Sequence, residues 1–224
     1  MSMWTLLIAL LCAIVVWFFI VRRLTSRPWI AAGAPGYTSD IGPVEQPAKK
    51  VALYLFLGSI SSLFALFITA YIMRMDPHHG GDWHTIAKPG ILWVNSVLLI
   101  LSSVTLHWAK SAATINNTRA LKTGLILTGI FTVAFLLGQL LAWQQLHSST
   151  YFQMSNPALG FFYLLTGVHA LHLLGGLYVW ARITGRYLLG AKASSIASGV
   201  GLCTVYWHYL LLVWLIMFVL LLTT

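Results

Sequence analysis

Six long apolar runs, separated by shorter polar stretches, set the pattern of this chain. They are Met3–Val21, Val51–Met73, Ile91–Ala109, Thr123–Gln144, Pro157–Ala181 and Gly199–Leu222. Each holds roughly the 20 apolar residues that a helix needs to cross a bilayer. A membrane barrel would instead show short segments of alternating hydrophobicity. The pattern predicts an all-α, polytopic membrane helix bundle with six transmembrane helices. Residues 1–23 are expected to form an additional N-terminal transmembrane helix, residues 24–50 a cytoplasmic linker, and residues 51–224 a five-helix core. Pro28, Pro35, Pro43 and Pro47, with Gly33, Gly36 and Gly42, favour an extended connector in that linker.

Composition agrees with the pattern. Of the 224 residues, 59% are hydrophobic and 8% charged, against about 25% charged in soluble domains, and the mean hydropathy is +0.84. The first run is expected to be a retained helix rather than a cleaved signal. No Lys or Arg precedes it, no small-residue cleavage site follows it, and Arg22, Arg23 and Arg27 come after it.

Charge placement predicts the orientation. The stretches 22–50, 110–122 and 182–198 hold eleven of the thirteen cations, and the opposite side has only Arg74 and Lys88. The positive-inside rule then makes the basic side cytoplasmic (or matrix-like) and puts both termini outside. The formal charge of +9 is mostly this topology signal. Nucleic-acid binding does not fit basic residues spread over three short loops.

The four acids, Asp40, Glu45, Asp76 and Asp82, all fall in loops, and no span has a charged residue in its interior. Ion and proton transporters usually carry such groups at depth, so autonomous pumping or small-solute transport is disfavoured. Cys12 and Cys203 sit in different spans at different depths and read as packing residues.

Small and hydroxyl residues let helices approach each other in lipid. Stripes of this kind are Ser61, Ala65 and Thr69, beside Gly58 and Ser62; Ser102, Ser103 and Thr105; Gly124, Thr128 and Thr132; and Gly167, Gly175 and Gly176. All are expected to be packing faces. Trp180, Trp207 and Trp214 suit either interface anchoring or packing.

The groups most suited to chemistry are histidines. His169 and His172 lie three residues apart, hence on one helical face, within FFYLLTGVHALHLLGG at Phe161–Gly176. Counted from the cytoplasmic ends at about 1.5 Å per residue, His172 and His208 fall at similar depth. Two such histidines could ligate a haem, giving a stand-alone electron carrier. They could equally bond backbone carbonyls, Thr166, Gln139 or lipid headgroups. His107 lies near a helix end, where a polar residue needs no special role. His78, His79 and His84, with Asp76 and Asp82, crowd the loop after the second run. They are metal-capable, but in no recognised metal spacing, and a solvated loop accounts for them.

Five fragments in order resemble subunit III of haem-copper terminal oxidases, the cytochrome c and quinol oxidases. They are LYLFLGS at Leu53–Ser59 with Ala70-Tyr71; Asn95-Ser96, LLILSSVT at Leu98–Thr105 and Trp108-Ala109; Gly138-Gln139 with Trp143; Phe161–Gly176; and YWHYLLLVW at Tyr206–Trp214. Phe161–Gly176 is close to the family pattern F-x-x-T-G-x-H-x-x-H-x-x-x-G, with Tyr163 at the leading aromatic position. Tyr206–Trp214 is similar to W-H-F-x-D-x-V-W. The fragments span about three quarters of the chain.

The resemblance implies an accessory subunit in a bacterial inner (cytoplasmic) membrane that binds no haem or copper. Those cofactors belong to the partner catalytic subunit I, which reduces oxygen to water, with subunit II beside it. It further implies bound phospholipid in a cleft that could admit oxygen, support for proton uptake, and protection of subunit I against inactivation. The residues expected to brace the bundle or hold lipid are His107, Gln139, Thr166, Gly167 and His169. His172, Gly176, Trp207, His208 and Trp214 complete that set. Three departures are systematic: where the family has membrane acids, this chain has Ile60, Ala142 and Leu211. Seven-helix members also have two helices before the core, where this chain has one.

Overall fold

A computed structural model of the chain describes residues 47–75, 83, 90–149 and 156–223. These residues belong to the compact unit Glu45–Thr224. The expected first helix, most of the linker, and the loop holding His78, His79 and His84 lie outside the described residues.

Five helices make up the described unit: α1 Pro47–Met75, α2 Ile91–Thr114, α3 Thr118–Ser149, α4 Pro157–Leu188 and α5 Ala193–Thr223. Each is long and apolar enough to cross a membrane. In hydrocarbon every backbone N–H and C=O must be satisfied within the segment, which leaves the helix as the available form for such runs. All five extend past the apolar runs, because hydropathy sees only the lipid-immersed part. Thus α4 continues from Ala181 to Leu188, and α5 starts at Ala193 rather than Gly199.

The breaks have local causes. Between α2 and α3, Asn116 takes φ 53°, a left-handed conformation that Asn tolerates better than most residues. The Asn117 side chain then accepts from the Ala120 N–H at 3.1 Å, capping α3. At the start of α4 the Asn156 side chain accepts from the Ala158 N–H, with Pro157 in the first turn. The α4–α5 turn closes through Gly190 at φ 98°.

The α2–α3 hairpin is the most intimate pairing. Ser102 and Thr132 hydroxyls meet at 3.0 Å, as do those of Thr105 and Thr128. A Cβ on Gly124 would come within 2.9 Å of Ala109 Cβ. Helix α5 packs on the other side of α2, and α4 packs on α5. On α1 the buried residues are Leu57, Ile60, Phe64 and Tyr71, at the three- and four-residue spacings of one helical face.

One expected packing face does not pack within the described unit. Ser61, Ser62, Ala65 and Thr69 are exposed on the described unit, and a Cβ added at Gly58 would meet nothing within 4 Å. Of that stripe, Ser61 reaches across, to the Tyr209 hydroxyl at 2.8 Å. The reason is that α1 meets its neighbours through aromatic rings. Phe64 lies 5.7 Å from His172, and Phe56 lies 6.2 Å from Tyr206, between ring centroids. Large interlocking groups hold the backbones apart, and the small residues fall on the outer face.

Candidate functional site

Four helices converge on His169. Its ring lies 5.3 Å from Trp214 of α5, 6.1 Å from Phe135 of α3 and 6.5 Å from Phe64 of α1. The side chain is 1% exposed, and neither ring nitrogen has a hydrogen-bond partner. Its N–H can face only aromatic surface, a weak interaction. No carboxylate side chain lies among the described residues to balance a charge there. The site is therefore an aromatic box around an imidazole.

One turn along, His172 behaves differently. Its Nδ1–H donates to the Val168 carbonyl at 2.8 Å, and its own carbonyl accepts from the Tyr206 hydroxyl at 2.8 Å. One turn before His169, the Thr166 hydroxyl donates to the Phe162 carbonyl and accepts from the Trp143 indole N–H at 3.0 Å. Gly176 admits Tyr206: a Cβ there would lie 2.6 Å from the tyrosine ring. At Gly167 a Cβ would meet Trp143 at an ordinary 3.6 Å, and at Gly175 it would meet nothing within 4 Å. Gly176 is thus the close-approach glycine of the three.

The α2–α5 seam carries paired tryptophans and serines. Trp207 donates its indole N–H to Ser102 at 2.8 Å, and Trp214 donates to Ser96 at 3.0 Å. Both indoles are fully buried, which makes them packing residues rather than interface anchors. Each needs a partner for its N–H, and the serine row of α2 supplies both. Gln139 accepts from the Asn95 amide at 3.2 Å in a buried α2–α3 contact.

His208 does not pair with His172 as the depth count suggested. Its Nδ1 bonds the Ser103 hydroxyl, and its Nε2 lies 3.3 Å from His107 Nδ1. With both nitrogens engaged, His208 has none left for a haem. His107, read from the sequence as an ordinary helix-end residue, is the partner that was missed. Depth counted from the opposite ends would have found it. His107 is sixteen residues from Ile91 and His208 fifteen from Thr223, and α2 and α5 run antiparallel. Among the described residues, no group of three or more His, Cys, Asp or Glu is placed to hold a metal.

The positions of the three missing acids are apolar in structure as well as in sequence. Ile60 and Ala142 are buried in the core, and Leu211 packs partly buried against it.

Comparison with known proteins agrees with the resemblance. The family described as cytochrome c oxidase subunit III matches residues 5–223. The chain is 30% identical to cytochrome c oxidase subunit 3 of a Synechocystis strain over 178 residues, covering 77% of this chain and 74% of that protein. It is 28% identical to the subunit 3 of Thermostichus vulcanus, covering 79% of this chain and 88% of that one. With the probable subunit 3 of Mycobacterium leprae it shares 27% identity, covering 81% and 91%. A match across nearly the whole length, on a bundle of apolar membrane-spanning helices, places this chain in the cytochrome c oxidase subunit III family of haem-copper oxidases.

Proposed function

We propose that this chain is the accessory, cofactor-free subunit III of a haem-copper terminal oxidase in aerobic respiration. It packs beside catalytic subunit I, with subunit II in the same complex, stabilises subunit I and holds phospholipid. Oxygen reduction to water and coupled proton translocation occur in its partners. The single observation that carries this is the match to the subunit III family over residues 5–223, on a bundle of apolar helices long enough to span a membrane. Inside that bundle His169, the most buried imidazole among the described residues, has aromatic walls on three helices.

The same reading sets the orientation. Eight of the nine described cations lie at one end of the bundle: Lys49, Lys50, Lys110, Arg119, Lys122, Arg182, Arg186 and Lys192. Arg74 is at the other. By the positive-inside rule the basic end faces the cytoplasm of a bacterium, across its inner membrane, with both chain termini outside.

Substitution at His169 tests the role. His169→Phe loses no hydrogen bond and conserves ring bulk, so we expect a change within about 1.5 kcal/mol in stability and wild-type turnover of the assembled oxidase. His169→Ala should destabilise the subunit by about 2 kcal/mol through the cavity it leaves. Lower turnover in a fully assembled, thermally unchanged His169→Phe complex would show that the imidazole does more than fill the box. The isolated chain should also show no Soret band.

A second test concerns the lost acids. Ile60→Glu places a carboxyl at a position 3% exposed among apolar neighbours. We expect destabilisation of about 3 kcal/mol and no gain in protons moved per electron. A clear gain, measured in vesicles containing the oxidase, would show that the position still connects to a proton path.

A further inference from the structure

The Ser103–His208–His107 chain has a direction, and its outer end is a donor. Ser103 is buried, and the imidazole of His208 is the partner of its hydroxyl. Ser96, also at the seam, sends its proton to the carbonyl four residues back; the buried Ser103 hydroxyl has His208 Nδ1 as its partner, and since a buried O–H needs an acceptor, Ser103 is the donor there. That fixes His208 as the Nε2–H tautomer. Its Nε2–H then donates to His107 Nδ1, which leaves His107 protonated at Nε2. The two rings are near coplanar, 10° apart, with centroids separated by 5.5 Å. That separation is close to the 3.3 Å N···N distance extended by one ring radius at each end. The nitrogens therefore point at each other in line, as in N–H···N hydrogen bonding. Two ligands of one metal would converge at an angle instead.

The His107 and His208 rings are both exposed on the described unit. Lys110 is one turn further along α2, near enough for its charge to act on His208. His107 is seven residues from the end of α2, about 10 Å along the axis, at the basic end of the bundle. From this polar spot an apolar track runs the other way along both helices. On α2 it is Val104, Ile100 and Val97, and on α5 it is Leu212, Leu215 and Val219, all exposed. Each set follows its histidine at three- and four-residue steps, and the track is about 15 Å long.

We infer that the α2–α5 seam binds one anionic phospholipid. A headgroup phosphate accepts the outward Nε2–H of His107 beside Lys110, and an acyl chain lies along the apolar track. Charge complementarity selects the ligand. The spot offers an N–H donor and the Lys110 ammonium, both of which favour a negatively charged headgroup. Basic pockets between membrane helices at headgroup depth suit anionic lipids for this reason. Ser103 acts as a positioning residue, since it sets the tautomer that turns the donor outward. The assignment deepens the lipid-holding role proposed above and rests on it.

The test uses the complex as purified from membranes, delipidated and re-exposed to phosphatidylglycerol or phosphatidylcholine, with bound lipid counted by native mass spectrometry. One phosphatidylglycerol per copy of this chain should be retained, in preference to phosphatidylcholine by about fivefold or more. Lys110→Gln should lower that retention about fivefold, the effect of about one cation at a membrane surface, and His107→Phe should lower it about as far by removing the N–H donor to the phosphate. Ser103→Ala should lower it too, with rescue by Ser103→Thr. Equal retention of the two lipids, unchanged retention in both His107→Phe and Lys110→Gln, displacement by inorganic phosphate, or a cross-link from His107 to a carboxylate of a partner protein would overturn the assignment. Failure of the chain to co-purify with a haem-bearing subunit would instead count against its being an oxidase subunit, and lipid counting on the chain alone would still decide the seam.

Discussion

Trp214→Ala should be the most damaging single truncation in the described bundle. The indole is fully buried, touches His169, Phe135 and Phe218, and donates to Ser96. In a soluble protein, such a truncation costs about 3–5 kcal/mol, part transfer and part cavity. In lipid the separated helices still bathe the indole in hydrocarbon, so much of the transfer part drops out and the cavity part remains. We therefore expect about 3 kcal/mol. The lost hydrogen bond is the smaller share, because the Ser96 hydroxyl keeps its bond to the Leu92 carbonyl at 2.9 Å. Trp214→Phe, which removes the donor but keeps a ring, should cost only about 1 kcal/mol. Thermal dissociation of the subunit from the purified complex reads both variants. Equal shifts for Ala and Phe would mean that the hydrogen bond, not the ring, holds α5 in place.

An effect of similar size is expected at a glycine pair that looks equivalent in sequence. Gly176→Val would drive a Cβ to 2.6 Å from the Tyr206 ring and 3.1 Å from Trp207. Relief requires α4 and α5 to separate, which would also strain the Tyr206 hydroxyl bond to the His172 carbonyl. Overpacking of this kind costs about 1–3 kcal/mol, and the rigid rings on both sides put this case at the upper end. Gly175→Val has open space around it and should change stability by less than about 0.5 kcal/mol. Assembly yield and thermal midpoint of the two variants, measured side by side, check the contrast. Similar loss in both would show that the glycines matter for helix flexibility rather than close approach.

Parts of the candidate site were legible in the sequence, and the reasons are specific. His169 and His172 stood out because polar residues are rare inside apolar runs, and their three-residue spacing put them on one helix. The ordered fragments around them carried the family resemblance, which the match over residues 5–223 supports. The Gly124–Thr128–Thr132 stripe was readable as a packing face because α2 presents hydroxyls at a matching period. The α1 stripe read the same way and packs differently, since nothing in its own sequence shows that α4 and α5 meet it with aromatic rings. His107 carries no such signal, because its partner lies about a hundred residues away and only the antiparallel register of α2 and α5 brings the two together.

The sequence by itself determined the class of molecule and its spanning segments. The bilayer leaves long apolar runs one form, the helix, and the basic loops mark one end of the bundle. It also determined that the spans carry no acids. Tertiary structure alone decided which face of each helix is inside. Lipid is as apolar as a buried leucine, so hydropathy cannot separate core from surface here as it does in water. The decision falls to fit and to hydrogen bonds: tryptophan on serine, tyrosine into the notch at Gly176, and a histidine that finds its partner on the next helix.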